Sequence, residues 1–144
     1  MKTVKLLSYA VVISFFASCD TFKQATNTTG GAVFSLNGAW KLNSNIPENT
    51  LVNSKVTVTP FIARSVITAL ENNTQCYRQN DVKWKNIKSN NQGGYSIDNA
   101  TSNCTAGTIT YLPANITVVN NNEIKIITKN AAGIDNAELW TRVK

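Results

Sequence analysis

Residues 115–127, Asn115-Ile116-Thr117-Val118-Val119-Asn120-Asn121-Asn122-Glu123-Ile124-Lys125-Ile126-Ile127, read as a strand, a turn and a second strand. Ile116 and Val118 alternate with polar neighbours before the Asn triplet, and Ile124 and Ile126 alternate after it. An apolar residue at every second position puts one face of a strand inward and the other in water. Asn accepts the left-handed backbone that a tight hairpin needs.

The same unit recurs along the chain in both directions. Upstream, Leu36, Gly38, Trp40 and Leu42 share a face opposite Asn37, Lys41 and Asn43. Val56 and Val58 follow, then Val82 and Trp84 alternating with Lys83 and Lys85, then Tyr95 with Ile97 and Ile109 with Tyr111. Downstream, Leu139, Thr141 and Val143 stand opposite Glu138, Trp140 and Arg142, which places Trp140 outward beside an Arg, as a contact patch or packed under the N-terminal segment. Turn signals separate the runs at Asn90–Gly94, Thr105–Gly107, Pro113-Ala114 and Asn130–Gly133. Between Pro60 and Leu70 two patterns compete. Ile62, Val66 and Ala69-Leu70 have helical spacing, whereas the β-branched Val66-Ile67-Thr68 favours a strand, and we read a strand. Short strands at regular spacing without a long amphipathic helix predict an all-β fold of about eight strands. An antiparallel up-and-down β-barrel is expected, because closure removes exposed sheet edges.

The chain has 144 residues, with 14 basic, 8 acidic and no His, for a formal charge of +6. Without His there can be no His general base, Ser-His-Asp triad or His-bearing zinc site. The carboxylates Glu71, Asp81, Asp98, Glu123 and Asp135 fall near turns and strand ends, where solvated acids are expected. There is no Asp-x-Asp calcium loop and no phosphate-cradling Gly loop. We therefore expect no enzyme, no catalytic residue, no metal and no cofactor. Lys83, Lys85 and Lys88 around Trp84 read as a solvated strand face, and no nucleic-acid partner is expected.

Lys2 and Lys5 precede an apolar run from Leu6 to Ala17, too short to span a bilayer and suited to a signal-peptide core. The tetrapeptide Phe16-Ala17-Ser18-Cys19 resembles the lipobox of bacterial lipoproteins. That resemblance implies a signal peptide over residues 1–18 and a Cys19 that is acylated and becomes the mature N-terminus. The protein is then lipid-anchored in the bacterial cell envelope, most simply at the outer membrane, with the membrane as a partner through the lipid. Two acyl chains anchor a soluble domain firmly. Removing Lys2 and Lys5 leaves twelve basic and eight acidic residues, a mature charge of +4. Residues 19–34, rich in Thr, Asn and Gly, form a flexible tether, and residues 35–144 the folded domain.

With Cys19 lipidated, Cys76 and Cys104 remain. In an oxidising compartment two such cysteines most simply pair, and neither a C-x-x-C spacing nor a His favours a reactive thiol.

The run Leu36-Asn37-Gly38-Ala39-Trp40-Lys41-Leu42 resembles the G-x-W first strand of lipocalins and lipocalin-like bacterial lipoproteins, and Leu139-Trp140-Thr141-Arg142-Val143 is similar to their last strand. The resemblance implies that Trp40 plugs one end of the barrel and Arg142 packs over it. It also implies a small apolar or amphipathic ligand. Trp84, Tyr95 and Tyr111 sit on inferred inward faces and are the candidate linings of such a cavity. The competing expectation is a filled barrel that contacts a protein or glycan from outside. A monomer is expected in either case.

Overall fold

Eight strands follow one another in the order of the alternating runs, except that the runs on either side of Pro113-Ala114, read as separated by a turn, form one continuous strand, with Pro113 and Ala114 in regular ladder pairs. The computed structural model describes residues 34–59, 61–104, 107–130 and 132–144. The signal segment, Cys19 and the tether through Val33 lie outside them. The strands are β1 (Gly38–Ile46), β2 (Lys55–Thr59), β3 (Arg64–Ala69), β4 (Val82–Ser89), β5 (Tyr95–Asn103), β6 (Thr108–Asn120), β7 (Glu123–Lys129) and β8 (Asp135–Arg142). Each pairs antiparallel with its sequence neighbours, and β1 pairs with β8 to close an up-and-down barrel. The expected fold is the fold found. The contested stretch after Pro60 is β3, with Ile67 buried on the inner face.

Because every connection reverses direction, the chain enters and leaves at one rim. That near rim also carries the β2–β3, β4–β5 and β6–β7 turns, while the other four connections form the far rim. Asn shapes many of these corners. Asn49, Asn53, Asn72 and Asn80 in the far-rim connections, and Asn86 within β4, all have positive φ, a region Asn tolerates better than most residues. Asn90 Oδ1 accepts hydrogen bonds from the Gln92 and Gly94 amides, and Asn130 Oδ1 from the Ala132 and Ile134 amides. Gly94 is required for a different reason: a Cβ there would stand 2.2 Å from the Ile116 carbonyl oxygen of the neighbouring strand.

Three faces differ from the alternation read in the sequence. In β4 the pairs Ser65↔Trp84 and Val66↔Val82 set two steps against one, so Lys83 is the extra residue of a β-bulge. The bulge turns both Lys83 and Trp84 inward, so Lys83 is buried and does not join a solvated Lys face. In β8 the inward residues are Glu138 and Trp140, both buried, while Leu139 and Thr141 face out and are half-buried. Trp140 is therefore core and no outer contact patch. In β6, Tyr95↔Ile116 and Ile97↔Ala114 are inward pairs, so Ala100↔Tyr111, an odd number of steps further, lies on the outer wall. Tyr111 cannot line an interior cavity.

Candidate functional site

The barrel interior is occupied from rim to rim. At the near rim Trp40 is fully buried, and its indole Nε1 donates to the Leu36 carbonyl at 2.8 Å. Arg142, paired in register with Trp40, lays its guanidinium 4.3 Å from the Trp40 ring centre and 5.8 Å from that of Phe34. It also donates to the carbonyls of Ser35, Asn37 and Asn121. Burial pulls its pKa below the ordinary arginine value. This closure explains the G-x-W spacing. Gly38 holds φ +113°, and a Cβ there would stand 3.2 Å from Arg142 Nη1. Phe34 is 3% exposed and packs on Trp40 and Tyr95, so the core begins one residue before the expected domain boundary.

Above this layer Trp84 and Trp140 meet edge to face, 5.1 Å between centroids, among Leu42, Ile67, Ile124 and Ile126. Trp84, Tyr95 and Trp140 are each 0–1% exposed. Trp84 and Tyr95, expected to line a cavity, instead fill the space. Trp84 packs on Trp140, Tyr95 on Phe34, and Tyr111 lies outside, so the three do not form one wall.

Toward the far rim the core turns polar. Lys83 Nζ lies 2.9 Å from Glu138 Oε1, with both side chains 2% exposed. The ammonium also donates to the Ala100 carbonyl at 3.0 Å. Glu138 accepts from Trp140 Nε1 at 2.9 Å through its other oxygen and from Asn99 Nδ2 at 3.2 Å. Asn99 in turn donates to Thr128 Oγ1 at 2.9 Å. A buried ion pair withstands its desolvation cost only with such additional bonds. Asn99 Oδ1 makes no hydrogen bond to the protein.

Tyr77, from the β3–β4 connection, caps the cluster. Its ring centre is 5.5 Å from Lys83 Nζ, and its hydroxyl donates to the Ala100 carbonyl at 2.7 Å. Burial, and then the Glu138 charge, push its phenol well above the usual tyrosine range. Beside it Cys76 and Cys104 are disulfide-bonded, as expected, with Cα atoms 5.3 Å apart. Closing a loop with a separation of 28 residues stabilises the fold by about 3.5 kcal/mol in the chain-entropy account. Sequence reasoning did not single out Lys83, Asn99 and Tyr77 as a site, and placed Glu138 on the wrong side of its strand.

The outer wall is where space opens. A groove of about 700 Å³ crosses β4 to β7 between Lys88, Ser96, Asp98, Asn115, Ile127 and Lys129. Next to it Lys85 Nζ sits 3.7 Å from the Tyr111 ring centre, and the Tyr111 hydroxyl donates to the Val82 carbonyl. Burial, then Asp81, raises that phenol also. Among the described residues no cluster of three metal-ligating side chains occurs. Comparison with known protein families, curated proteins and solved structures finds no match to this chain.

Proposed function

We propose that this protein is a filled-barrel module of the bacterial cell envelope, held to a membrane by a lipid on Cys19 and working through its outer surface. The observation that carries the reading is the interior. Trp40, Trp84, Trp140 and Tyr95 occupy the space where a lipocalin-like barrel would hold an apolar ligand, and the Lys83–Glu138 pair lies among them. An apolar ligand would have to displace close-packed indoles and strip a compensated ion pair, both costly.

The outer groove has the volume of an ordinary ligand site. Its lining sets amide, hydroxyl, ammonium and carboxylate groups around an apolar floor that includes Pro113 and Ile127, a mixture that suits the hydroxyls and ring faces of a sugar, so an envelope oligosaccharide is the proposed ligand. The near rim, where the tether departs, carries Phe61 and Ile62, Phe61 being 95% exposed. Apolar groups there suit a lipid surface close by and leave the far rim pointing away, with the groove on the side wall between.

Native mass spectrometry tests this reading on the whole protein released from its membrane. A bare mass after incubation with fatty acids, together with adducts of soluble envelope oligosaccharides, is the expected result. An acyl-chain adduct that disappears on unfolding would overturn it and restore the interior-ligand reading.

A further inference from the structure

The polar cluster inside the barrel brings together an amine, a carboxamide and a carboxyl group away from water. Lys83 Nζ and Asn99 Nδ2 both reach one oxygen, Glu138 Oε1, at 2.9 and 3.2 Å, and all three residues are 1–2% exposed. Asn99 Oδ1 has no hydrogen-bond partner in the protein. The β4 bulge is what brings Lys83 here, since regular alternation would send it to solvent beside Trp84. A lysine that served only solubility would not be buried among Tyr77, Trp84 and Trp140.

We propose that this cluster is a self-modification site at which Lys83 and Asn99 join through an intramolecular amide bond, with Glu138 as the proton carrier. A proton passes from Lys83 Nζ to Glu138 along their 2.9 Å hydrogen bond, leaving a neutral amine and a neutral acid. The amine nitrogen attacks Asn99 Cγ and forms the new C–N bond. The amide group of Asn99 can present either its nitrogen or its oxygen to Glu138 by rotating about its last bond, and with the oxygen presented the acid polarises the carbonyl. Glu138 then hands its proton to Nδ2, the old C–N bond breaks, and the nitrogen departs as ammonia. The second proton that Lys83 loses goes back to Glu138 or leaves with the ammonia as ammonium. Nothing is oxidised or reduced, and no co-reactant is needed. Holding both groups on one carboxylate supplies the proximity that makes so slow a reaction feasible.

Tryptic mapping of the full chain, reduced and alkylated, reads the bond directly. With the bond formed, cleavage after Lys83 is blocked, and residues 79–85 appear joined to residues 89–125 in one branched peptide, lighter by one ammonia than the two separately. Fragmentation places the branch at Lys83 and Asn99. Efficient cleavage after Lys83 with an intact 89–125 peptide would overturn the proposal, as would a branch at any other residue. The Glu138→Ala variant, checked for its β-sheet circular dichroism, is expected to yield the two separate linear peptides. Full cross-linking in that variant would remove Glu138 from the reaction. Loss of the fold in that variant leaves the wild-type map to decide alone.

Discussion

Two cations close this barrel by different physics. Arg142, at the near rim, keeps part of its surface in water, spreads its charge over the Trp40 ring and donates to three backbone carbonyls. Lys83, in the far half, has given up water altogether and is answered by a carboxylate at 2.9 Å. A delocalised guanidinium is weakly hydrated and can lie on an indole, whereas a compact ammonium is strongly hydrated and needs a full counter-charge when buried. One rim therefore closes with one charged side chain, and the other needs a network.

Glu138→Ala tests that difference most severely. It leaves Lys83 buried without its counter-charge and Trp140 Nε1 without its acceptor, and a loss of about 3–5 kcal/mol is expected in urea unfolding. A loss under about 1 kcal/mol would mean that the far half behaves like a solvated surface pair. Alkaline pH should separate the halves next. Tyr77 keeps its proton when folded, because burial and Glu138 hold its pKa above the ordinary tyrosine value of about 10. The unfolded chain loses that proton above about pH 10, so it binds fewer protons than the folded chain. Stability present below pH 10 then falls by about 1.4 kcal/mol per unit as pH rises beyond it. Tyr77→Phe should flatten the alkaline slope of the urea midpoint, and an unchanged slope would remove Tyr77 as its cause. The smallest effect is expected from Arg142→Lys. It retains the charge but loses the planar fork and the stacking, for a cost of about 1–2 kcal/mol by thermal or urea unfolding. A cost equal to that of Glu138→Ala would erase the distinction between the rims.

What the sequence made legible follows the same division. Trp40 and Arg142 could be placed because a tryptophan two residues after a glycine and an arginine near the end of the last strand form a local pattern at each end. Cys76 and Cys104 could be paired by elimination. Strand number came from the period-2 pattern, which is a property of short windows, and closure from the need to leave no sheet edge exposed. The far half was not readable in this way. The face of Lys83 depends on one extra residue in β4, and a bulge leaves no mark in the alternation of Val82, Lys83, Trp84 and Lys85. In β8, Leu139 and Val143 outweighed Glu138, Trp140 and Arg142 on hydrophobicity alone. Those three turn inward because Lys83 and Trp40, distant in sequence, are there to receive them. Tyr111 was misassigned because Ile109 and Tyr111 continue an alternation that looks inward, and only the pairing with β5 fixes the face.

The seam between β1 and β8 gives the barrel a direction of mechanical strength. Both strands end at the near rim, with Trp40 and Arg142 as the rung closest to the two chain ends. A pull applied between those ends loads the rungs one after another, starting where the guanidinium grips three carbonyls, and peels the seam like a zipper. A pull between the tether and something held at the far rim runs along β1 and loads its rungs to β2 and β8 together, in shear. The same hydrogen bonds thus resist a drag on an anchored molecule far better than they resist the parting of its own two ends.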